Sequence, residues 1–161
     1  MLKKKKHKKS KEKKLGDLPK KVSEQQNKDS GEEELKKQIK KASEGLYYIS
    51  ETDAEILPFF GKQSQTVTKE EILRQTDHVA DTFVEERNFG EFFSRLTEIQ
   101  DWFGDEEKAT AQKFAELKNL LERNLRDLKV FKVGKIQLDV YAVGINAENN
   151  LLGIKTKAVE T

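Results

Sequence analysis

The sequence predicts an α+β domain in which helices precede an antiparallel meander, and three observations predict it. Apolar residues recur at helical spacing from Leu35 to Leu46 and from Phe114 to Leu125. From Val130 onward the apolar period falls to two. The first 31 residues hold almost no large apolar side chains, so the folded part is one modest domain after a polar start.

Residues 1–31 carry twelve Lys, no Arg and four acids, a charge of +8, whereas residues 32–161 sum to −6; the net +2 of the whole chain is a cancellation. Nine of the twelve residues from Lys3 to Lys14 are Lys, and after Leu2 only Leu15, Leu18 and Val22 are large and apolar. Such a segment buries too little to offset the entropy of ordering it. Residues 1–31 are therefore expected to be a disordered Lys-rich tail and residues 32–161 the folded domain. The tail has two readings, a solubilising self-repelling segment or a polybasic patch for nucleic acid, anionic lipid or an acidic partner. No aromatic or Arg is interleaved to stack on bases or fork onto phosphates, which favours the first.

Order is expected from Glu32. Three acids at 32–34 suit a helix N-terminus, and Leu35, Ile39, Ala42 and Leu46 share one stripe of a helix of about three turns. Gly45 suits its C-terminal end, and Leu46 to Ile49 suits a strand. After the polar corner Ser50 to Asp53, Pro58 restricts the run Ile56 to Phe60 to an edge or irregular strand. Thr68 followed by Glu71 is a capping-box pattern, which opens a short helix holding Ile72 and Leu73. Phe89, Phe92, Phe93 and Leu96 form a helical turn that contributes core. Asp105 can cap a long helix running to about Arg126, with Ala109, Phe114, Leu117, Leu121, Leu125 and Leu128 on its inner face. Val130, Phe131 and Val133, then Ile136, Leu138 and Val140, then Ile154, Thr156 and Ala158 alternate with polar residues. Gly134-Lys135 and the stretch Asn146 to Asn150 supply turns, giving a meander with one face on the helices.

Several classes of function are excluded or disfavoured. The chain has no cysteine, which removes disulfide scaffolds, thiolate metal sites and Cys nucleophiles. No segment approaches the roughly 20 apolar residues needed to span a bilayer. No apolar run follows the lysines as a signal peptide requires, so a cytoplasmic location is expected. His7 and His78 are the whole imidazole inventory, neither lies at metal-ligand spacing, and His78 beside Asp77 reads as a surface histidine. Phosphate cradles, dinucleotide fingerprints and nucleophile elbows are missing from the sequence. A binding protein without a cofactor is expected rather than an enzyme.

Two segments look like binding elements. Trp102 lies in a polar junction beside Asp101, Asp105 and Glu106, where it is either core, the commoner fate of a lone Trp, or an exposed interface anchor. Val159-Glu160-Thr161 follows the last strand directly, which presents a hydroxyl, an α-carboxylate and a neighbouring glutamate in one place. Either those oxygens imitate a phosphate in a basic, magnesium-containing site, or the chain merely ends there, which residue logic alone favours.

Five segments in order, LKKQIKKASEGLYYISE (35–51), EFFSRLT (91–97), QDWFGDEE (100–107), GKIQLDVYAVG (134–144) and LLGIKTKAVET (151–161), make the chain resemble the nuclease A inhibitor family. The founding members of that family block a sugar-non-specific nuclease of DNA and RNA. The resemblance covers about Glu34 to Thr161 and leaves out the tail. It implies a three-layer α/β/α sandwich with an antiparallel sheet, similar to the pathogenesis-related class 1 fold. It also implies a basic, magnesium-dependent nuclease as partner, whose active site is plugged. Carried residue by residue, it places partner contacts at Glu51, Asp101, Trp102 and Thr161, with Thr161 reaching the nuclease's metal region and Glu160 beside it. The loops Ile56 to Gln65 and Asp77 to Asn88 depart from the family pattern. A second class of function also stands, a non-catalytic adaptor whose Lys-rich tail tethers the domain to nucleic acid or anionic membrane.

Overall fold

The computed structural model describes residues 31–161. The expected tail therefore lies, apart from Gly31, outside the described residues. The chain divides into two units between Leu35 and Lys36. Of the first, residues 31–35 are described, as the opening of helix α1 (31–43). The second holds the remainder of α1 and every other element described.

Gly45, at φ +79°, turns the chain out of α1, a conformation that costs a residue without Cβ little. The hairpin β1 (Tyr47–Ile49) and β2 (Asp53–Glu55) follows, antiparallel, with Ile49 opposite Asp53. Next come β3 (Leu57–Gln63), α2 (Lys69–Gln75), β4 (Val84–Asn88), α3 (Phe89–Thr97), α4 (Asp105–Asn124), β5 (Arg126–Val133), β6 (Gln137–Ile145) and β7 (Asn150–Val159). The five longer strands form one antiparallel sheet in the order β3-β7-β6-β5-β4. Pro58 lies on the edge strand β3, where its missing N–H is tolerated.

Strand parity sorts the core into two. Phe59, Phe131, Val133, Tyr141, Val143, Ile145 and Leu151 point to one face and pack with Ile72 and Leu73 of α2. Val130, Val140, Ala142, Leu152 and Ile154 are also buried but point the other way. Helix α3 packs on β4 and β5, and α4 on α3, so Phe93, Phe114, Leu117 and Leu121 cover that second face. A sheet with helices on both sides explains why β6 is buried at nearly every position instead of alternating. The expected meander is present, but with both faces covered rather than one, and Ile136 lies exposed in the β5–β6 turn.

Other differences are local. Helix α4 is capped at Gly104, not Asp105; the Gly104 N–H donates to Glu107, which reaches back from the first turn. Ala109 is exposed and Ala111 takes the inward position. Five residues before Phe114 is about 500° of helical rotation, well off the buried stripe. Leu125 ends the helix in extended backbone, so Arg126 already belongs to β5 and Leu128 is a strand residue. At α2, Thr68 caps the Glu71 N–H as its spacing predicts. The Glu71 carboxylate does not reach back but takes a bidentate grip from Arg74, which, with help from Ser64 and Gln75 against partial burial, lowers its pKa to about 2. Strand β4 has no counterpart in the sequence reading, because Val-Glu-Glu-Arg-Asn carries charged residues that suit an edge and no apolar alternation.

Candidate functional site

The β1–β2 loop sets Glu51 against the segment that follows β7. Ser50 Oγ accepts from the Val159 N–H at 3.0 Å, and the Glu51 N–H donates to the Val159 carbonyl at 3.3 Å. One residue on, the Glu160 N–H donates to the Ile136 carbonyl at 3.0 Å. Thr161 then donates twice to a single oxygen, Glu51 Oε2, from its N–H at 2.9 Å and its hydroxyl at 2.8 Å. Both bonds favour the ionised carboxylate, the hydroxyl foremost, and hold the Glu51 pKa below its ordinary value. The result is an exposed negative charge fixed in direction by neutral donors.

Glu160 is placed differently. Its Oε2 lies 2.8 Å from Lys132 Nζ, and the Lys132 side chain is only 12% exposed. Its charge is thus matched from within the chain.

Asp101 and Trp102 occupy the connection between α3 and α4, where Trp102 is 73% exposed and rests edge-on against Phe103. The exposed alternative for this lone Trp is the observed one. A depression of about 310 Å³ beside Trp102 is lined by Tyr47, Ile49, Arg95 and Phe103 among others. A second, of about 510 Å³, runs past Ile49, Arg95, Lys132 and Glu160. Ile49 and Arg95 line both, so the tryptophan loop and the residue 160 segment border one continuous region. Glu51 is two residues beyond Ile49 on the same hairpin. Tyr47 and Ile49, at 50% and 65% exposed, add apolar surface here that the sequence reading assigned to a strand without a role. Period-two alternation was the available signal: Tyr48 points inward and stacks on Phe92, which turns its neighbours out.

His78 is not the surface histidine its polar neighbours suggested. Asp77, at φ +60°, turns the chain after α2 so that the ring enters a cavity of about 500 Å³ over the sheet. Its Nε2 lies 3.3 Å from both Asp139 Oδ2 and the Tyr141 hydroxyl, and Lys157 Nζ holds the other Asp139 oxygen at 2.8 Å. Burial, then the Asp139 charge, raises the Tyr141 pKa. Among the described residues no group of three or more His, Asp or Glu side chains is arranged to hold a metal ion. No described helix is long and apolar enough to cross a membrane.

Residues 33–161 match the model of a family described as nuclease A inhibitor-like protein. No curated protein matches the chain.

Proposed function

This chain belongs to the nuclease A inhibitor-like family, which supports a nuclease-inhibitor role in general, and on that premise we propose how it inhibits. It plugs the active site of a basic, sugar-non-specific, magnesium-dependent nuclease with the surface built from Glu51, Asp101, Trp102, Glu160 and Thr161. The observation that carries this reading is the double hydrogen bond from Thr161 to Glu51. It presents a carboxylate and a hydroxyl together, fixed before any partner arrives, so less ordering entropy is lost on binding.

An enzyme that cleaves any sequence must meet the phosphate backbone with a basic cleft. A segment of charge −6 is steered towards such a cleft. Carboxylate oxygens occupy phosphate positions without offering a scissile bond, so occupancy replaces turnover. Trp102, with Tyr47 and Ile49 beside it, supplies the apolar anchor, and Asp101 pairs with a partner Arg or Lys. Magnesium belongs to the nuclease in this scheme, and the setting is the cytoplasm of the cell being protected.

The test is inhibition of a magnesium-dependent non-specific nuclease by the purified chain, with and without Thr161. Stoichiometric inhibition that weakens at least about tenfold when Thr161 is removed is the expected result. A nuclease left fully active at micromolar excess rejects the reading for that enzyme, and inhibition indifferent to Thr161 rejects the plug. The alternative, a tethering role for residues 1–31 with their charge of +8, is tested by deleting that segment and measuring salt-dependent binding to nucleic acid or anionic vesicles.

A further inference from the structure

We infer that Lys132 is a positioning residue for the inhibitory surface, acting through Glu160 on Thr161; the inference rests on the function proposed above. Residues 159 and 161 are held by the β1–β2 loop, and residue 160 between them by the β5–β6 turn. Ser50 of the hairpin takes the Val159 N–H, the Ile136 carbonyl takes the Glu160 N–H, and Glu51 takes Thr161. The backbone holds on residues 159 and 160 fix where the segment runs but not how residue 160 is rotated. That rotation decides whether the next residue faces Glu51. The Lys132–Glu160 pair sets it, reaching from β5 across to the segment beyond β7.

An exposed ion pair has little power to do this. Lys132 differs because most of its side chain is buried, so its ammonium needs a partner at hand, and Glu160 is the carboxylate within reach. The reciprocal consequence falls on Glu160: with its charge matched by Lys132, it aims Thr161 and adds little negative charge for a nuclease to feel. Glu51, whose hydrogen-bond donors are uncharged, keeps its full charge for the partner.

The experiment compares the intact chain with Lys132→Met and Lys132→Arg in two readouts. One is the backbone heteronuclear NOE of the Thr161 amide in the unbound protein, with the amides of β6 as a control for folding. The other is the inhibition constant against the nuclease, measured also in chains lacking Thr161. Lys132→Met is expected to lower the Thr161 NOE while β6 stays unchanged, and to weaken inhibition about tenfold. Lys132→Arg restores both, and Lys132→Met costs nothing further once Thr161 is gone. An unchanged Thr161 NOE in Lys132→Met overturns the inference, as does an equal penalty with and without Thr161. A wild-type chain that inhibits no nuclease removes the proposed function instead, and the NOE comparison still decides whether Lys132 orders Thr161.

Discussion

Two regions of this molecule gather polar groups around a carboxylate: the hairpin edge, where Thr161 donates twice to Glu51, and the sheet cavity, where His78 and Lys157 both meet Asp139. At the edge the donors are neutral, so the charge of Glu51 survives on an exposed residue. In the cavity the carboxylate faces a lysine and an imidazole, and its charge is matched locally by Lys157. A search for chemistry drawn to imidazole and a concave wall chooses the cavity. A search for something a cationic partner can grip chooses the edge. The two regions differ in whether the carboxylate is compensated: Asp139 is paired with Lys157, whereas Glu51 is held in direction by neutral donors.

The comparison is broken most easily at Trp102. Trp102→Ala is expected to weaken nuclease inhibition by about 30-fold or more, in keeping with a buried interface aromatic. Thermal stability should stay where it is, because the side chain is 73% exposed in the unbound chain. A drop in melting temperature with unchanged inhibition would reverse the assignment.

Tyr141→Phe sharpens the contrast from the other side. It removes a hydroxyl that meets His78 in the cavity and is expected to cost about 1 kcal/mol of stability in denaturant unfolding. Inhibition should be unchanged. Loss of inhibition at constant stability would make the cavity, not the edge, the functional centre.

The smallest effect is a titration. Because Thr161 holds the Glu51 pKa below its ordinary value, the carboxylate's contribution to stability is present above that ordinary value. It is lost as pH falls through the lowered one. A carboxyl-detected NMR titration of Glu51 is expected to give a midpoint below the ordinary glutamate range that rises back towards it when Thr161 is removed. A midpoint indifferent to Thr161 would mean that the two residues are not bonded in solution.

Much of this architecture is legible in the residues. The stripe Phe114, Leu117, Leu121 announces α4, and the alternation after Val130 announces β5, the start of β6 and the end of β7, because burial on one face imposes a period on the sequence. Where burial comes from two faces the period disappears, as in β6, and the second helical layer behind Tyr141, Val143 and Ile145 was legible only through the family resemblance. Strand β4 escaped because an edge strand is chosen by its pairing with β5, and Glu85, Glu86 and Arg87 carry no pattern of their own.

The candidate site divides along the same line. Trp102 and Thr161 stand out by composition and position, and Glu51 was reachable through resemblance. The 2.8 Å and 2.9 Å bonds that join Glu51 to Thr161 span 110 positions and exist only once β1 and β7 are folded beside each other. Lys132 is one of many lysines in sequence; its near-burial against Glu160 makes it distinct. His78 was misread for a related reason, since the left-handed turn at Asp77 that sends it inward leaves no mark on hydropathy.

The proposed nuclease contact is the surface shared by the hairpin, the tryptophan loop and the segment after β7. Amide hydrogen exchange of the chain with and without bound nuclease tests it most directly. Protection confined to residues 47–53, 98–104 and 157–161 is the predicted result. Protection centred on residues 76–78 and 139–141, with the first three segments unchanged, would contradict it.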